Sequence, residues 1–125
     1  MKDLQDYMES RQTALFEKTG TFFCFSTKQF DEGKKEGVKY VNMGHGMVCN
    51  KNHARELVEG LDLIYKESIA QDIKDHGLEN IILRELVNHE AYYTGDIDST
   101  FDAIESYGVT KEQIWKLYRN TNHKL

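Results

Sequence analysis

The run NHARELVEGLDLIYKESIAQDIKDHG, residues 52–77, is the feature that most constrains the fold. Its apolar residues recur at three- and four-residue steps until Gly77, which is typical of a long amphipathic helix, and Asn50 or Asn52 is expected to cap it. One apolar row contains Leu57, Leu61 and Ile64, and the neighbouring row contains Val58, Tyr65, Ile69 and Ile73. A face of this width has to be covered by other elements of the chain.

Shorter segments surround this helix. Residues 2–20 form an amphipathic pattern ending in glycine, TFFCFS and VKYVNM predict strands, and GMVC continues the second strand. TKQFDEGKKEG is a turn or a single helical turn. Further helices are predicted over residues 78–93, 99–107 and 110–120, with Thr110 and Gln113 as a capping box. This order predicts one α+β domain over residues 1–125, with a small antiparallel sheet of two or three strands packed with about five helices.

Composition favours a soluble cytoplasmic protein. Hydrophobic residues make up 39% of the chain and charged residues 30%, and proline is absent, so no linker interrupts the domain. Cys24 and Cys49 each lie in an apolar run, which indicates buried thiols in a reducing compartment. No apolar stretch approaches the ~20 residues of a membrane span, and the N-terminus is too polar for a signal peptide. A net charge of -5 without a basic stripe argues against general nucleic-acid binding.

The stretch ELVNHEAYYTGDID, residues 85–98, is either the capped end of a core helix or a polar site. A ligand-binding site would use Arg84, Asn88, His89 and Tyr92, with His45 reaching it from a glycine turn. Arginine and histidine would neutralise a phosphate while a tyrosine ring stacks on a base. No metal and no cofactor are expected, although a metal-dependent hydrolase centred on Glu85, His89 and Asp96 is an alternative.

The segment MGHGMVCNKNH also contains ligand-type residues. His45, Cys49 and His53 follow one another at four-residue spacing, which suits zinc or copper, but alternating strand side chains need not converge. GHG is typical of a hairpin turn or a bulge that presents its histidine to solvent. Apolar flanks raise the pKa of a thiol and make it inert, so neither cysteine is expected to be a nucleophile.

Residues 100–119 resemble a helix-turn-helix, which makes a DNA-binding regulator another alternative. The residues at its packing positions are Ala103, Ile104, Tyr107, Val109, Ile114 and Leu117. Those facing the DNA groove would be Thr110, Lys111, Trp115, Lys116 and Arg119, with Glu112 among them. Trp115 and Tyr118 suit a partner or dimer interface equally well, and a homodimer is expected.

Three stretches together, GTFFCFSTKQFDEG, VKYVNMGHGMVC and NHEAYYTGDID, resemble a family of small uncharacterised proteins of phages and prophages in low-GC Gram-positive bacteria. The resemblance covers residues 15–120 and carries no catalytic or ligand-binding residues over to this chain. It implies a non-enzymatic accessory protein that inhibits host defence. Its partner would be a host defence protein, such as a nuclease complex that it blocks, or a small nucleotide signal that it sequesters.

Overall fold

The structure is a computed structural model that describes residues 2–122. Within that range the chain forms seven α-helices and a small antiparallel sheet of three strands, which confirms the predicted α+β class. In chain order the elements are α1 (Leu4–Thr19), β1 (Phe22–Phe23), α2 (Thr27–Gly33), β2 (Tyr40–Gly44), β3 (Met47–Asn50), α3 (Ala54–His76), α4 (Leu78–Asn88), α5 (Ala91–Thr94), α6 (Asp98–Ile104) and α7 (Lys111–Asn122). Single 3-10 turns precede α3, at Lys51–His53, and follow α6, at Glu105–Tyr107.

Backbone contacts group the chain into two compact units, residues 1–68 and residues 69–125. The boundary falls inside α3, which runs through both ranges. None of the helices within residues 2–122 combines the length and the apolar character needed to cross a bilayer. The prediction of a single domain over residues 1–125 stays a prediction.

The first unit contains the sheet, whose strand order is β1-β3-β2 with both pairings antiparallel. His45 and Gly46 join β2 to β3, and both have positive φ (55° and 79°), as a two-residue hairpin with the right-handed strand twist requires. This confirms the hairpin turn, one of the two forms predicted from GHG, with His45 exposed at its tip. Most of GMVC therefore lies in a separate antiparallel strand and does not continue the second strand. The buried side chains of this unit are Thr19, Val48, Cys49, Leu57, Ile64 and Ser68. Cys49 is therefore buried as expected, whereas Cys24 is only half-buried.

The strand predicted over TFFCFS is shorter in the structure, because the last residue of this run caps a helix. Ser26 caps α2 by accepting a hydrogen bond from the backbone N–H of Gln29, and the Gln29 side chain accepts one from the N–H of Phe25. Phe30 of α2 then stacks on Phe22 with ring centroids 6.1 Å apart. The segment expected to form at most one turn is thus a helix from Thr27 to Gly33.

Over its described residues, 69–122, the second unit contains helices and no strand. α4 packs against α5, α6 and α7. Its apolar core consists of Ile69, Ile81, Ile82, Leu86, Ala91, Ile97, Ile104, Tyr107, Val109 and Ile114. The capping box predicted at the start of α7 is confirmed. The N–H of Gln113 donates to the Thr110 hydroxyl (3.2 Å), and the N–H of Thr110 donates to the Gln113 side chain (2.8 Å).

The single helix predicted over residues 78–93 is wrong. α4 ends at Asn88, Glu90 adopts the left-handed conformation (φ 55°, ψ 32°), and α5 begins at Ala91. This break rotates the chain, so Tyr93 does not continue the apolar face of α4 and is 92% exposed. A left-handed backbone position is usually marked in the sequence by glycine, and a glutamate gives no such signal. Apolar spacing alone therefore does not predict the break.

Candidate functional site

A buried polar cluster lies at the centre of the second unit, around Asp72 of α3. The carboxylate of Asp72 is fully buried and accepts two parallel hydrogen bonds from the Arg84 guanidinium, both 3.0 Å long. The Tyr107 hydroxyl donates a third bond (2.6 Å) and Nδ1 of His76 a fourth (2.8 Å). Three elements are thereby tied to one carboxylate in a setting where charge-assisted hydrogen bonds are strongest.

Arg84 also binds a second carboxylate. Its Nε atom lies 2.9 Å from Oε1 of Glu85, and the other oxygen of that carboxylate lies 3.3 Å from Nε2 of His89. The Arg84 side chain is only 7% exposed and that of Glu85 12%. The two carboxylates compensate for the desolvation of the buried guanidinium between them.

The pKa values in this cluster follow from burial and hydrogen bonding. Burial alone would raise the pKa of Asp72, but the bonds from Arg84, Tyr107 and His76 together hold it below its usual value. Burial and the neighbouring Asp72 carboxylate raise the pKa of the Tyr107 hydroxyl. Although burial opposes it, contact with Asp72 and Glu85 raises the pKa of Arg84. The cluster therefore holds an ionised aspartate, a neutral tyrosine and a cationic arginine at neutral pH.

The predicted ligand-binding residues are only partly available to a ligand. Arg84 is buried in its ion pairs, so phosphate capture through its guanidinium would have to break them. His89 is paired with Glu85, whereas Asn88 is exposed at the end of α4. The Tyr92 ring is stacked within the second unit, and His45 belongs to the first unit. The geometry thus removes the strongest cation from the proposed set.

Neither metal site considered from the sequence is assembled. Across the described part of the chain, no three His, Cys, Asp or Glu side chains are grouped so as to hold an ion. Asp96 instead accepts the backbone N–H of Asp98 (2.8 Å) at the start of α6. In the first unit, His53 lies 3.1 Å from Glu56, and burial raises the pKa of the Cys49 thiol. Burial thus favours the neutral thiol over the thiolate, which is the nucleophilic form.

Sequence reasoning missed the part that Asp72, His76 and Tyr107 play in this cluster. The signal for Asp72 was present, because an acidic residue lies between Ile69 and Ile73 in an apolar row of a long helix. An acid at such a position has to be paired. Nothing in the sequence identifies which cation pairs with it.

A group of stacked aromatic side chains lies on another side of the second unit. Tyr92 and Tyr118 stack almost parallel, with ring centroids 5.2 Å apart and planes at 8°, and the Trp115 ring meets Tyr118 edge-on at 5.2 Å. The Tyr92 hydroxyl donates to Thr121, whose own hydroxyl donates to the backbone oxygen of Leu117. Both polar contacts lie within the unit, so they hold the stacked rings in place.

A shallow groove of about 370 Å³ lies beside these rings. Leu86, Val87, Glu90, Tyr92 and Tyr93 line it. Val87 is 65% exposed and Tyr93 92% exposed, although both have large apolar side chains. We call the set Val87, Tyr92, Tyr93, Trp115 and Tyr118 the aromatic surface. The turn at Glu90 places Tyr93 there, so the surface depends on the break between α4 and α5.

The helix-turn-helix interpretation has mixed support from the packing. Tyr107, Val109 and Ile114 are buried as that motif requires, but Ala103 is exposed. On the outer face, Lys111 is paired with Asp98 at 3.4 Å. The remaining outer residues, Glu112, Trp115, Lys116 and Arg119, are exposed. This face thus presents two exposed cations beside a glutamate and an indole ring.

A family of proteins of unknown function, DUF7659, has a sequence profile that matches residues 4–123. The chain belongs to this family. Neither a curated protein nor a solved structure matches it. Because DUF7659 carries no assigned activity, membership gives no catalytic or binding residue, and function has to be argued from the surfaces described above.

Proposed function

We propose that this DUF7659 protein is a non-enzymatic binding protein that acts by covering a protein partner with its aromatic surface. The observation that carries the proposal is the groove beside Tyr93, where a tyrosine and a valine are largely exposed next to rings fixed by stacking. Tyrosine and tryptophan are enriched at interface hot spots because they bury a large area at low entropic cost.

The fixed geometry of the rings supports this function further. Tyr92 and Tyr118 are stacked and Trp115 is packed against Tyr118, so little rotamer freedom is left to lose on binding. The Tyr92 hydroxyl already has a partner in Thr121. A preorganised apolar surface of this kind reduces the ordering cost of association.

Capture of a nucleotide signal has weaker support. The best phosphate ligand of the predicted set, Arg84, is enclosed by Asp72 and Glu85, and Glu90 adds another carboxylate to the groove. A phosphate bound in the groove would be repelled by the negatively charged carboxylate of Glu90. A protein partner needs no such cation, so occlusion is the mechanism we put forward.

The biological setting of the proposal rests on sequence resemblance. The segments 20–33, 38–49 and 88–98 resemble phage and prophage proteins, so we place the protein in the cytoplasm of an infected bacterium as an inhibitor of host defence. The partner would be a component of a defence complex, and the inhibitor would act as a homodimer. The anti-defence role and the binding surface call for different experiments.

Site-directed photocrosslinking tests the surface. A photoreactive phenylalanine at position 93 is expected to crosslink a protein from lysate of a defence-carrying Gram-positive host, and the Val87→Asp change is expected to abolish that crosslink. Val58→Asp is the matched control, because Val58 is also a helical valine and is 54% exposed. It should leave the crosslink unchanged.

Two outcomes would contradict the proposed surface. The crosslink would survive Val87→Asp, or it would be lost equally in Val58→Asp. The setting is tested by plaque formation on the same host expressing the protein. We expect plating of a restricted phage to rise with the wild type and not with Val87→Asp. Restored plating by both would separate the anti-defence role from this surface.

DNA binding through α7 is a second candidate, favoured by the exposed Lys116 and Arg119 beside Trp115. Cationic side chains that contact phosphates give an affinity that falls steeply with salt. Mobility of duplex DNA at low salt, compared between the wild type and a Lys116→Ala, Arg119→Ala variant, decides this case. Unchanged migration with the wild type would remove the candidate.

A further inference from the structure

β2 is an unpaired edge of the sheet in the first unit, because the strand order is β1-β3-β2. The N–H of Lys51 donates to the backbone oxygen of Lys39 (2.8 Å), so these two residues lie opposite each other, each one position beyond the end of its strand. Backbone groups alternate along an antiparallel strand. Those of Val41 therefore face β3, and the N–H and C=O groups of Tyr40 and Asn42 face outward.

No residue in the described range 2–122 satisfies those outward groups. The strand is also open only over a short length. A bulge between Asn42 and Gly44 interrupts the register, and the Asn42 side chain accepts the N–H of Gly44 (2.8 Å). A bulge is one way in which proteins limit unwanted edge pairing. The open edge is thereby confined to residues 39–42.

A groove of about 420 Å³ runs along one face of this edge. Its lining is mainly apolar and includes Cys24, Phe25, Phe30, Tyr40 and Val48. Residues directly opposite one another in paired strands lie on the same face. A strand added to β2 would therefore place the side chains opposite Tyr40 and Asn42 on the side of this groove.

Charge at the start of β2 indicates the chemistry of the occupant. Lys39 and Lys51 lie directly opposite each other and are both exposed. Within the described residues, 2–122, neither ammonium forms a salt bridge with a carboxylate. Like charges at opposed positions destabilise a sheet. An acidic side chain beside Lys39 would relieve that repulsion.

We propose that β2 takes up an extended acidic segment of a partner protein as a fourth, antiparallel strand. The segment would place apolar residues opposite Asn42 and Tyr40 and a glutamate or aspartate opposite Lys39. Main-chain hydrogen bonds supply the affinity in this mode of recognition, and the groove and the two lysines select the sequence. This surface is independent of the aromatic surface in the second unit.

Amide hydrogen exchange on the full, isotope-labelled chain tests the proposal. The probe is a blocked eight-residue peptide of alternating valine and threonine that ends in two glutamates. At saturation the amides of Tyr40 and Asn42 are expected to exchange at least about tenfold more slowly, because they become hydrogen-bonded. The amides of Val41 and Cys49 already lie in the ladder and serve as internal references.

Charge selectivity is tested with two further comparisons. A matched peptide ending in two lysines should bind about tenfold more weakly, and a Lys39→Glu, Lys51→Glu variant should reverse that order, as expected for two partly exposed pairs. Lys74→Glu makes the same type of charge change on an exposed residue of the second unit and should alter neither affinity.

Three results would overturn the inference. The first is unchanged exchange at Tyr40 and Asn42 with the acidic peptide in excess. The second is equal binding of the two peptides. The third is slow exchange of both amides in the free protein together with a dimer mass in sedimentation, since the edge would then be occupied by a second copy. The charge variants alter exposed side chains only, so folding does not limit the test.

Discussion

Replacing Asp72 with asparagine is the sharpest test of the buried cluster. Every group around the carboxylate is a donor, namely the Arg84 guanidinium, the Tyr107 hydroxyl and Nδ1 of His76. Asparagine keeps the shape but brings an NH₂ group against those donors and removes the charge that neutralises a guanidinium only 7% exposed. The variant therefore leaves a buried cation short of one partner rather than simply losing a contact.

The expected loss of unfolding free energy is about 3–5 kcal/mol, the range found when one member of a buried ion pair is removed. Adding the hydrogen bonds one by one would overestimate it, because bonds to a shared carboxylate are not additive. Glu85 still contacts Arg84 at 2.9 Å, which favours the lower end of that range. Compared with a total stability of roughly 5–15 kcal/mol, the change is large.

Urea unfolding followed by tryptophan fluorescence measures this loss in the second unit, to which Asp72 belongs. Trp115 is the only tryptophan of the chain and lies in α7 of the second unit. Asp62→Asn is the matched control, because Asp62 is on the same helix but forms an exposed pair with Lys66. We expect it to cost less than about 0.5 kcal/mol. If the two variants lose the same amount, the carboxylate of Asp72 does not hold the unit together.

The remaining predictions concern pH, strain and capping. Because the folded state lowers the pKa of Asp72, its contribution is present above the unfolded pKa of about 3.9 and is lost as pH falls below it. The stability gap between wild type and Asp72→Asn should therefore shrink from pH 6 to pH 3, and a constant gap in acid urea titrations would contradict this sign. Glu90→Gly relieves the left-handed backbone (φ 55°) and should raise the unfolding free energy by about 0.5–1 kcal/mol, whereas Glu90→Ala should not. Thr110→Ala should lower it by about 1 kcal/mol through loss of the α7 cap, and Thr110→Ser, which keeps the hydroxyl, should not in the same urea assay.

Features of the fold with a local chemical cause were predictable from sequence. Gly20 ends α1 in the left-handed conformation, the pair at residues 45–46 turns the hairpin, and Thr110 with Gln113 caps α7. In each case the residues that fix the backbone are adjacent or three apart. The contacts that define these features therefore join residues that are close in the sequence.

Features of the fold that depend on a competing local contact were not predictable from the sequence. TFFCFS has strand composition throughout, but Ser26 caps the helix that begins at Thr27, and the strand ends at Phe23. The apolar spacing of residues 78–93 continues through Glu90, but the backbone does not. Spacing predicts which residues share a face only if the helix is unbroken, and the break at Glu90 moves Tyr93 off the apolar face of α4.

Burial also decides what the charged residues of this chain can do. Sequence gives Arg84 a charge and a place next to His89, which is why it was expected to bind phosphate, but it does not show that Asp72 and Glu85 enclose it. Removing that guanidinium to bind a ligand would break an ion-pair cluster that we expect to contribute several kcal/mol to the second unit. Tyr93 and Val87 have no such structural role, because most of each side chain is exposed to solvent. Partner binding can use these exposed residues without loss of stability, whereas the buried cluster is committed to the fold.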